Sequence, residues 1–350
     1  MTNEVKKRSV SPLKIMVILV IFVAVLADAA YLYVNAGHAK LRQNAETVEP
    51  VIQQTEAVTT KEAVKWQDGW VKYNGGIYAY KENLMSFLVM GIDKNLPEKV
   101  DEQSLEGGQA DVLVLLVLDP DEKRIDMIPI NRNSMVDVDV FDADGRNLYS
   151  QKAQIAVQHG VGDGLEKSCE YQVNAVSKLF YQLPIHGYAA LNMEGIIPLN
   201  DAVGGVDVVV PENYDSGEYT FTEGETVHLE GEKAYIFLRD RDNEVGGADR
   251  RLSRHEAYLT ALVGKVYNEI KNDPLTFMSV YNAISQYTVS NISSSELAYL
   301  ATEASGFSYD EDSVHEIKGS TVKGELYDEF YIDDDALEEL IMDVFYKKIG

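Results

Sequence analysis

The sequence predicts an α/β fold: a central mixed β-sheet flanked by helices, preceded by a transmembrane helix and followed by a helical C-terminal extension. Three observations carry that expectation. Residues 112–118 read VLVLLVL, uniformly apolar, as a central strand covered on both faces requires. Residues 166–183 place Val173, Val176, Leu179 and Phe180 at helical spacing. Residues 15–34 are apolar almost throughout, about the 20 residues that a helix needs to cross a bilayer.

The elements follow in order. Lys6, Lys7, Arg8 and Lys14 precede the apolar stretch, so the positive-inside rule keeps residues 1–14 in the cytoplasm and exports the rest. Tyr31 and Tyr33 stand where an interfacial aromatic belt would lie. Asp28 sits near one end, where a charge costs less than at mid-membrane. Ala27, Asp28 and Ala29 also resemble a small-x-small cleavage site, so a removed signal peptide is the alternative to a retained anchor in the cell membrane. Residues 35–80 read as an extracellular stalk, polar at first and ending in a possible aromatic hairpin over 66–80. Residues 81–270 form the main domain. Its strands are expected at 86–91, 112–118, 124–130 and 206–210, its helices at 166–183, 193–203 and 251–272, with 232–238 as a short helix or strand. Residues 271–350 read as an α-rich extension with helices at 274–287, 293–304 and 334–346.

Charge narrows the function. The chain carries a formal net charge of −26. Four of its 31 basic residues and one of its 57 acidic residues lie in the N-terminal tail, so the remainder carries −29. Such a surface repels polyanions, which excludes nucleic acid as a general partner. A single cysteine, Cys169, excludes an internal disulfide and reads as a small packed side chain. The acidic run at 333–335 lacks the glycine and terminal glutamate of an EF-hand loop and reads as a turn and N-cap.

Against that background, five of the ten arginines fall within sixteen residues: Arg239, Arg241, Arg250, Arg251 and Arg254. Guanidinium offers a planar fork that matches phosphate bidentately and stays charged at any working pH. Arg239 and Arg241 share a face if their segment is a strand, and Arg251 and Arg254 share one if theirs is a helix. The cluster points to a local anion site. The alternative is a solvated face neutralised by Asp240, Asp242, Glu244 and Asp249.

The order of segments over residues 85–265 resembles the LytR-CpsA-Psr family of envelope proteins. The residues that carry the resemblance are Phe87 to Asp93, a strand ending in Gly-x-Asp; Asp111 ahead of an apolar strand; and Ile128-Pro129-Ile130-Asn131-Arg132. Lys152 precedes the Gly-rich turn His159 to Gly162, and the most specific block runs from Leu191 to Gly195 and from Asp201 to Val208. The arginine cluster then falls at the family's Arg-x-Arg and Arg-x-x-Arg positions.

The resemblance implies a membrane-anchored phosphotransferase that moves a glycopolymer from a polyprenyl-pyrophosphate carrier to a peptidoglycan acceptor outside the cell. It implies a prenyl tail in an apolar pocket between sheet and helices. It implies a pyrophosphate held by Arg132, Lys152, Arg239, Arg241, Arg251 and Arg254, with Asp93, Arg132, Arg239 and Arg241 at the reacting centre. It implies Mg²⁺ or Mn²⁺ held by Asp93 and Asp111, with uptake of the acceptor's proton as the alternative role for one of them. Read from the residues alone, Asp93 is a turn or cap residue and Asp111 a strand-start residue.

Departures from the family pattern stand beside it. Gln109 occupies a usual arginine position, Asn133 a usual aspartate, Gln154 a usual asparagine, Ala248 a usual aspartate and His255 a usual glutamine. They open a second expectation, a catalytically impaired polyprenyl-phosphate-binding or regulatory protein.

Overall fold

The computed structural model describes residues 32–41, 69–94, 107–142, 145–239, 247–273, 275–325 and 327–350. In chain order these form helix α1 (32–41), then strands β1 (Trp70–Tyr73), β2 (Gly76–Tyr80), β3 (Met85–Ile92), β4 (Ala110–Asp119), β5 (Arg124–Pro129), β6 (Met135–Phe141) and β7 (Asn147–Gln154). Next come α2 (Glu166–Leu179), β8 (Gly187–Asn192), α3 (Ile196–Ala202), β9 (Val206–Val209), β10 (Tyr214–Asp215), β11 (Thr220–Phe221), β12 (Thr226–Leu229), α4 (Gly231–Arg239) and α5 (Gly247–Asn272). The chain closes with α6 (Leu275–Ile284), β13 (Thr288–Ser290), α7 (Ser294–Ala304), β14 (Gly319–Lys323), β15 (Asp328–Ile332), α8 (Asp334–Phe345) and β16 (Tyr346–Lys348).

The central sheet has the order β13-β8-β3-β4-β5. Only β3 and β8 pair in parallel; the remaining neighbours are antiparallel, so the sheet is mixed as expected. Alternate residues along β3 serve two layers, because successive strand side chains point to opposite faces. On one face Leu88 and Met90, with Leu113 and Leu115 opposite them, pack against α2 and α8 through Val176, Phe180, Ile341 and Phe345. On the other face, Phe87 and Met85 pair with Leu116 and Leu118 and meet Tyr299, Leu300 and Phe307. Farther along that same face lie Val89 and Gly91, opposite Val114 and Val112. A third layer stands over these last residues, built from β9–β12, β10–β11 and helices α3 to α6 around Phe221, Phe237 and Tyr258.

Two boundaries differ from those expected of the sequence. Residues 271–350 are no appended extension. β13 forms an edge of the central sheet, β16 pairs with β2, and α8 buries Leu337, Ile341 and Phe345 in the main core. Strands of three residues leave no periodicity to read, which hid their role. Residues 35–80 are not wholly a stalk, since α1 buries Leu41 completely and the β1–β2 hairpin joins β16. Of the two alternatives left open for residues 232–238 the helix is the one formed, and Arg239 closes it, where its charge complements the C-terminal dipole.

Most of the expected span, residues 15–31, and the cleavage-like residues 27–29 lie outside the described residues, as does most of the expected stalk. Among the described residues, no helix is long and apolar enough to cross a membrane.

Candidate functional site

The ends of β3, β4 and β8 coincide at one edge of the central sheet, and the chain places polar groups there. Asp93 follows β3, Asp111 is the second residue of β4, and Asn192 ends β8. The three line a cavity of about 730 Å³. Its walls are otherwise mainly apolar: Val89 and Val112 from the sheet, Ile196 and Leu199 from α3, Tyr235 and Leu238 from α4, Leu259 and Leu262 from α5. A large, mostly apolar cavity with a few convergent polar groups is the usual form of a binding site for an amphipathic ligand.

Gln109 organises the polar end. Its backbone N–H donates to Asp93 Oδ1 at 2.7 Å, and its carbonyl accepts from the backbone N–H groups of Asp93 and Asp111, both at 3.1 Å. Its side-chain Oε1 accepts from Arg132 Nη2 at 2.5 Å. Arg132 also forms an ion pair with Asp111, and both side chains are largely buried. The Nε of Arg132 is buried with no hydrogen-bond partner among the described residues. A buried donor of this kind carries a desolvation cost that an anionic ligand would relieve.

The loop ahead of Gln109 is held from behind. Gly108 has φ +77°, and a Cβ there would press on Asp93 Oδ1 at 3.2 Å and Ile92 at 3.0 Å, so glycine lets the loop close over the carboxylate. His159 donates from Nδ1 to the Gly108 carbonyl at 3.1 Å, because a carbonyl can only accept. Burial pushes the His159 pKa below its ordinary value, which keeps that ring neutral.

The expected site residues divide into two groups. Asp93, Asp111 and Arg239 line the cavity, and Arg132 joins them through Asp111. Arg239 is exposed at the rim, its guanidinium 5.5 Å from the Tyr235 ring. Arg254 is placed elsewhere. It is 1% exposed, donates from Nε to the Phe237 carbonyl at 3.0 Å and from Nη1 to Glu212 Oε1 at 3.1 Å, and lies 4.2 Å from the Tyr214 ring. Its neighbour Arg250 approaches the same Glu212 at 3.6 Å. Lys152 lies on the exposed β6–β7 hairpin, 3.4 Å from Asp137, its directly opposite partner in the ladder, and does not line the cavity. Arg241 falls outside the described residues, and so does the side chain of Arg251.

Sequence reasoning missed Gln109 as a connecting residue, reading it only as a lost cation. It also missed Asn192, whose side chain caps the following turn by accepting from Glu194 and Gly195 N–H groups, and Tyr258, which donates to Asn200 beneath the cavity at 3.0 Å. Asn192 carried a legible signal, an Asn two residues ahead of an acidic first turn.

The LytR_cpsA_psr family model matches residues 39–343. The chain belongs to the LytR-CpsA-Psr family. Curated members similar to it include a polyisoprenyl-teichoic acid–peptidoglycan teichoic acid transferase TagU of Oceanobacillus iheyensis, 29% identical over 58% of this chain and 56% of that protein. Another is TagU of Enterococcus faecalis, 23% identical over 82% of this chain and 80% of that one. In several cases the match spans only about half the length of the curated relative. Among solved structures, Bacillus subtilis TagV is 25% identical with a TM-score of 0.55, covering 75% of this chain and 95% of that one. A structure of TagT bound to LI-WTA, 16% identical with a TM-score of 0.54, shares the LytR-CpsA-Psr fold over 84% of this chain.

Proposed function

We propose that this chain is a membrane-anchored phosphotransferase that moves a glycopolymer from a polyprenyl-pyrophosphate carrier to peptidoglycan on the outer face of the cell membrane. The observation that carries this reading is the apolar cavity with Asp93, Asp111 and Arg239 on its wall and Arg132 held against Asp111. The names of the similar teichoic acid transferases support it.

The cavity takes the prenyl chain. Arg132, with its unused Nε donor, and Arg239 at the rim take the pyrophosphate, where preorganised positive charge lowers the barrier to phosphoryl transfer. The acceptor hydroxyl attacks the glycan-bearing phosphorus, the bond to the bridging oxygen breaks, and polyprenyl phosphate leaves. Asp93, held by the Gln109 N–H through one oxygen, takes the hydroxyl proton on the other. Two carboxylates on adjacent strand ends form an oxygen donor set that suits Mg²⁺ or Mn²⁺ with waters completing the shell. Asp111 would hold the ion, which would supply charge neutralisation at the pyrophosphate, while Asp93 stays free as the base; an ion held by both carboxylates is the alternative to that role.

The experiment is Mg²⁺-dependent release of polyprenyl phosphate from a synthetic polyprenyl-pyrophosphate-linked disaccharide by the full-length chain. Arg132→Ala is expected to lower turnover by about 10²–10³. A wild-type protein that binds no carrier would refute the reading. Gln109, a neutral amide at a position where the resemblance expects a cation, favours a second reading, a carrier-binding protein without turnover. Binding without Mg²⁺-dependent release would decide for it.

A further inference from the structure

The cavity has a direction that two elements beside it, β3 and α5, reveal. Along β3, Asp93 stands at the polar end, Gly91 and Val89 line the cavity, and Phe87 and Met85 lie beyond it in the cluster with Tyr299, Leu300 and Phe307. Six residues of strand separate Asp93 from Phe87, roughly 20 Å. Along α5, His255, Tyr258, Leu259 and Leu262 line the cavity, and Tyr267 then donates to the Phe307 carbonyl at 2.8 Å. From His255 to Tyr267 is twelve residues of helix, roughly 18 Å. β3 therefore runs from the polar end of the cavity to the apolar cluster, and α5 runs from the cavity wall to the same cluster.

Helix α1 docks on that cluster. Leu41 is fully buried in it and Val34 packs against it. His38 stacks on Tyr299 with ring centroids 4.7 Å apart. Lys40 pairs at 3.3 Å with Glu296, a buried carboxylate that also closes the N-terminal capping box of α7. A Cβ on Gly37 would come within 2.1 Å of the Ser295 carbonyl oxygen, so the helix backbone rests directly on α7. At the other end of α1, Leu32 is 66% exposed and Tyr33 47%. These two continue, without a break in sequence, the apolar stretch that begins at Ile15.

We propose that α1 is a strut that sets the apolar end of the cavity against the phospholipid bilayer, with Leu32 and Tyr33 seated in the lipid interface. The proposal rests on the anchored, carrier-binding reading above. Leu32 and Leu41 are nine residues apart, so the docked cluster stands only about 14 Å from the interface. Tyrosine favours that interfacial level. The prenyl tail then lies toward the side of the cavity nearest the membrane, and the headgroup lies at the Asp93 and Arg132 end.

The test uses the full chain in phosphatidylglycerol–phosphatidylethanolamine vesicles. A His38→Cys, Tyr299→Cys pair, with Cys169 buried and unreactive, reports docking through a bis-maleimide bridge. A benzophenone-tagged polyprenyl phosphate in the same vesicles reports carrier capture by photolabelling. Wild type is expected to take the label, and the cysteine pair to bridge. Gly37→Leu, which collides with Ser295, and Lys40→Glu, which sets two carboxylates together, are expected to float with the vesicles, lose the bridge, and label about tenfold less, as a loss of positioned local concentration requires. In detergent micelles all variants should label alike. The strut is overturned if the bridge fails to form in the otherwise unaltered chain, or if both variants lose it and still label like wild type from vesicles. A wild type that does not float overturns the anchoring reading, and one that floats but takes no label in either medium overturns the carrier reading.

Discussion

Arg254 separates a structural arginine from a ligand-binding one. Its replacement by Met keeps much of the volume and removes the charge. The side chain is 1% exposed, and three interactions disappear: the Nε donation to Phe237, the charge-assisted bond to Glu212, and the guanidinium over Tyr214. Hydrogen bonds to charged groups contribute about 1.5–3 kcal/mol each, and a desolvated cation–π contact about 2 kcal/mol. These terms do not add fully, because Glu212 keeps Arg250 at 3.6 Å and some exposure to water. Breaking a buried pair of this kind costs about 3–5 kcal/mol. For a domain of this size that lowers Tm by roughly 6–20 °C. The assay is calorimetric unfolding of wild type and Arg254→Met, paired with polyprenyl-phosphate binding at a temperature where both remain folded. Binding should survive in the folded variant. An unchanged Tm with binding abolished would return Arg254 to the pyrophosphate clamp and refute its assignment to the core.

Two further outcomes follow from the same geometry. Lys152→Ala removes a solvent-exposed pair with Asp137, so stability should move by no more than about 0.5 kcal/mol and carrier binding should not change; a large loss of binding would place Lys152 at the site after all. His186 is a pH probe of the sheet edge. Its Nδ1 accepts the Ser86 N–H at 3.0 Å, and burial lowers its pKa from 6.5 to about 4. The unfolded chain therefore binds more protons between those values, so stability is whole above pH 6.5 and declines as pH falls toward 4, by on the order of 3 kcal/mol. Denaturant midpoints measured across that window should show a slope that His186→Asn removes; an identical slope in the variant would assign the effect to another group.

The fold was legible where burial imposes a pattern. The apolar run of β4, the period of α2 and the N-cap at Asp333 appear as expected, a helix follows Ser293 as expected, and Asp93 and Asp111 line the cavity. Misread positions share one cause. An arginine's sequence neighbours do not say whether its side chain meets a ligand or a partly buried glutamate 42 residues away, and only packing brings Glu212 to Arg254. Gln109 likewise looks like an absence in the sequence, yet its backbone and amide tie Asp93, Asp111 and Arg132 into one cluster.

By itself, the amino-acid sequence determined the local elements, the acidic surface and the strand ends that bear carboxylates, because propensity, periodicity and charge act over a few residues. Tertiary structure alone decided which cations face the cavity, that β13, β16 and α8 complete the main body, and that α1 docks beside the cavity's apolar end. Those outcomes depend on pairings between residues hundreds of positions apart, such as Lys40 with Glu296, whose free energy exists only once the chain has closed on itself.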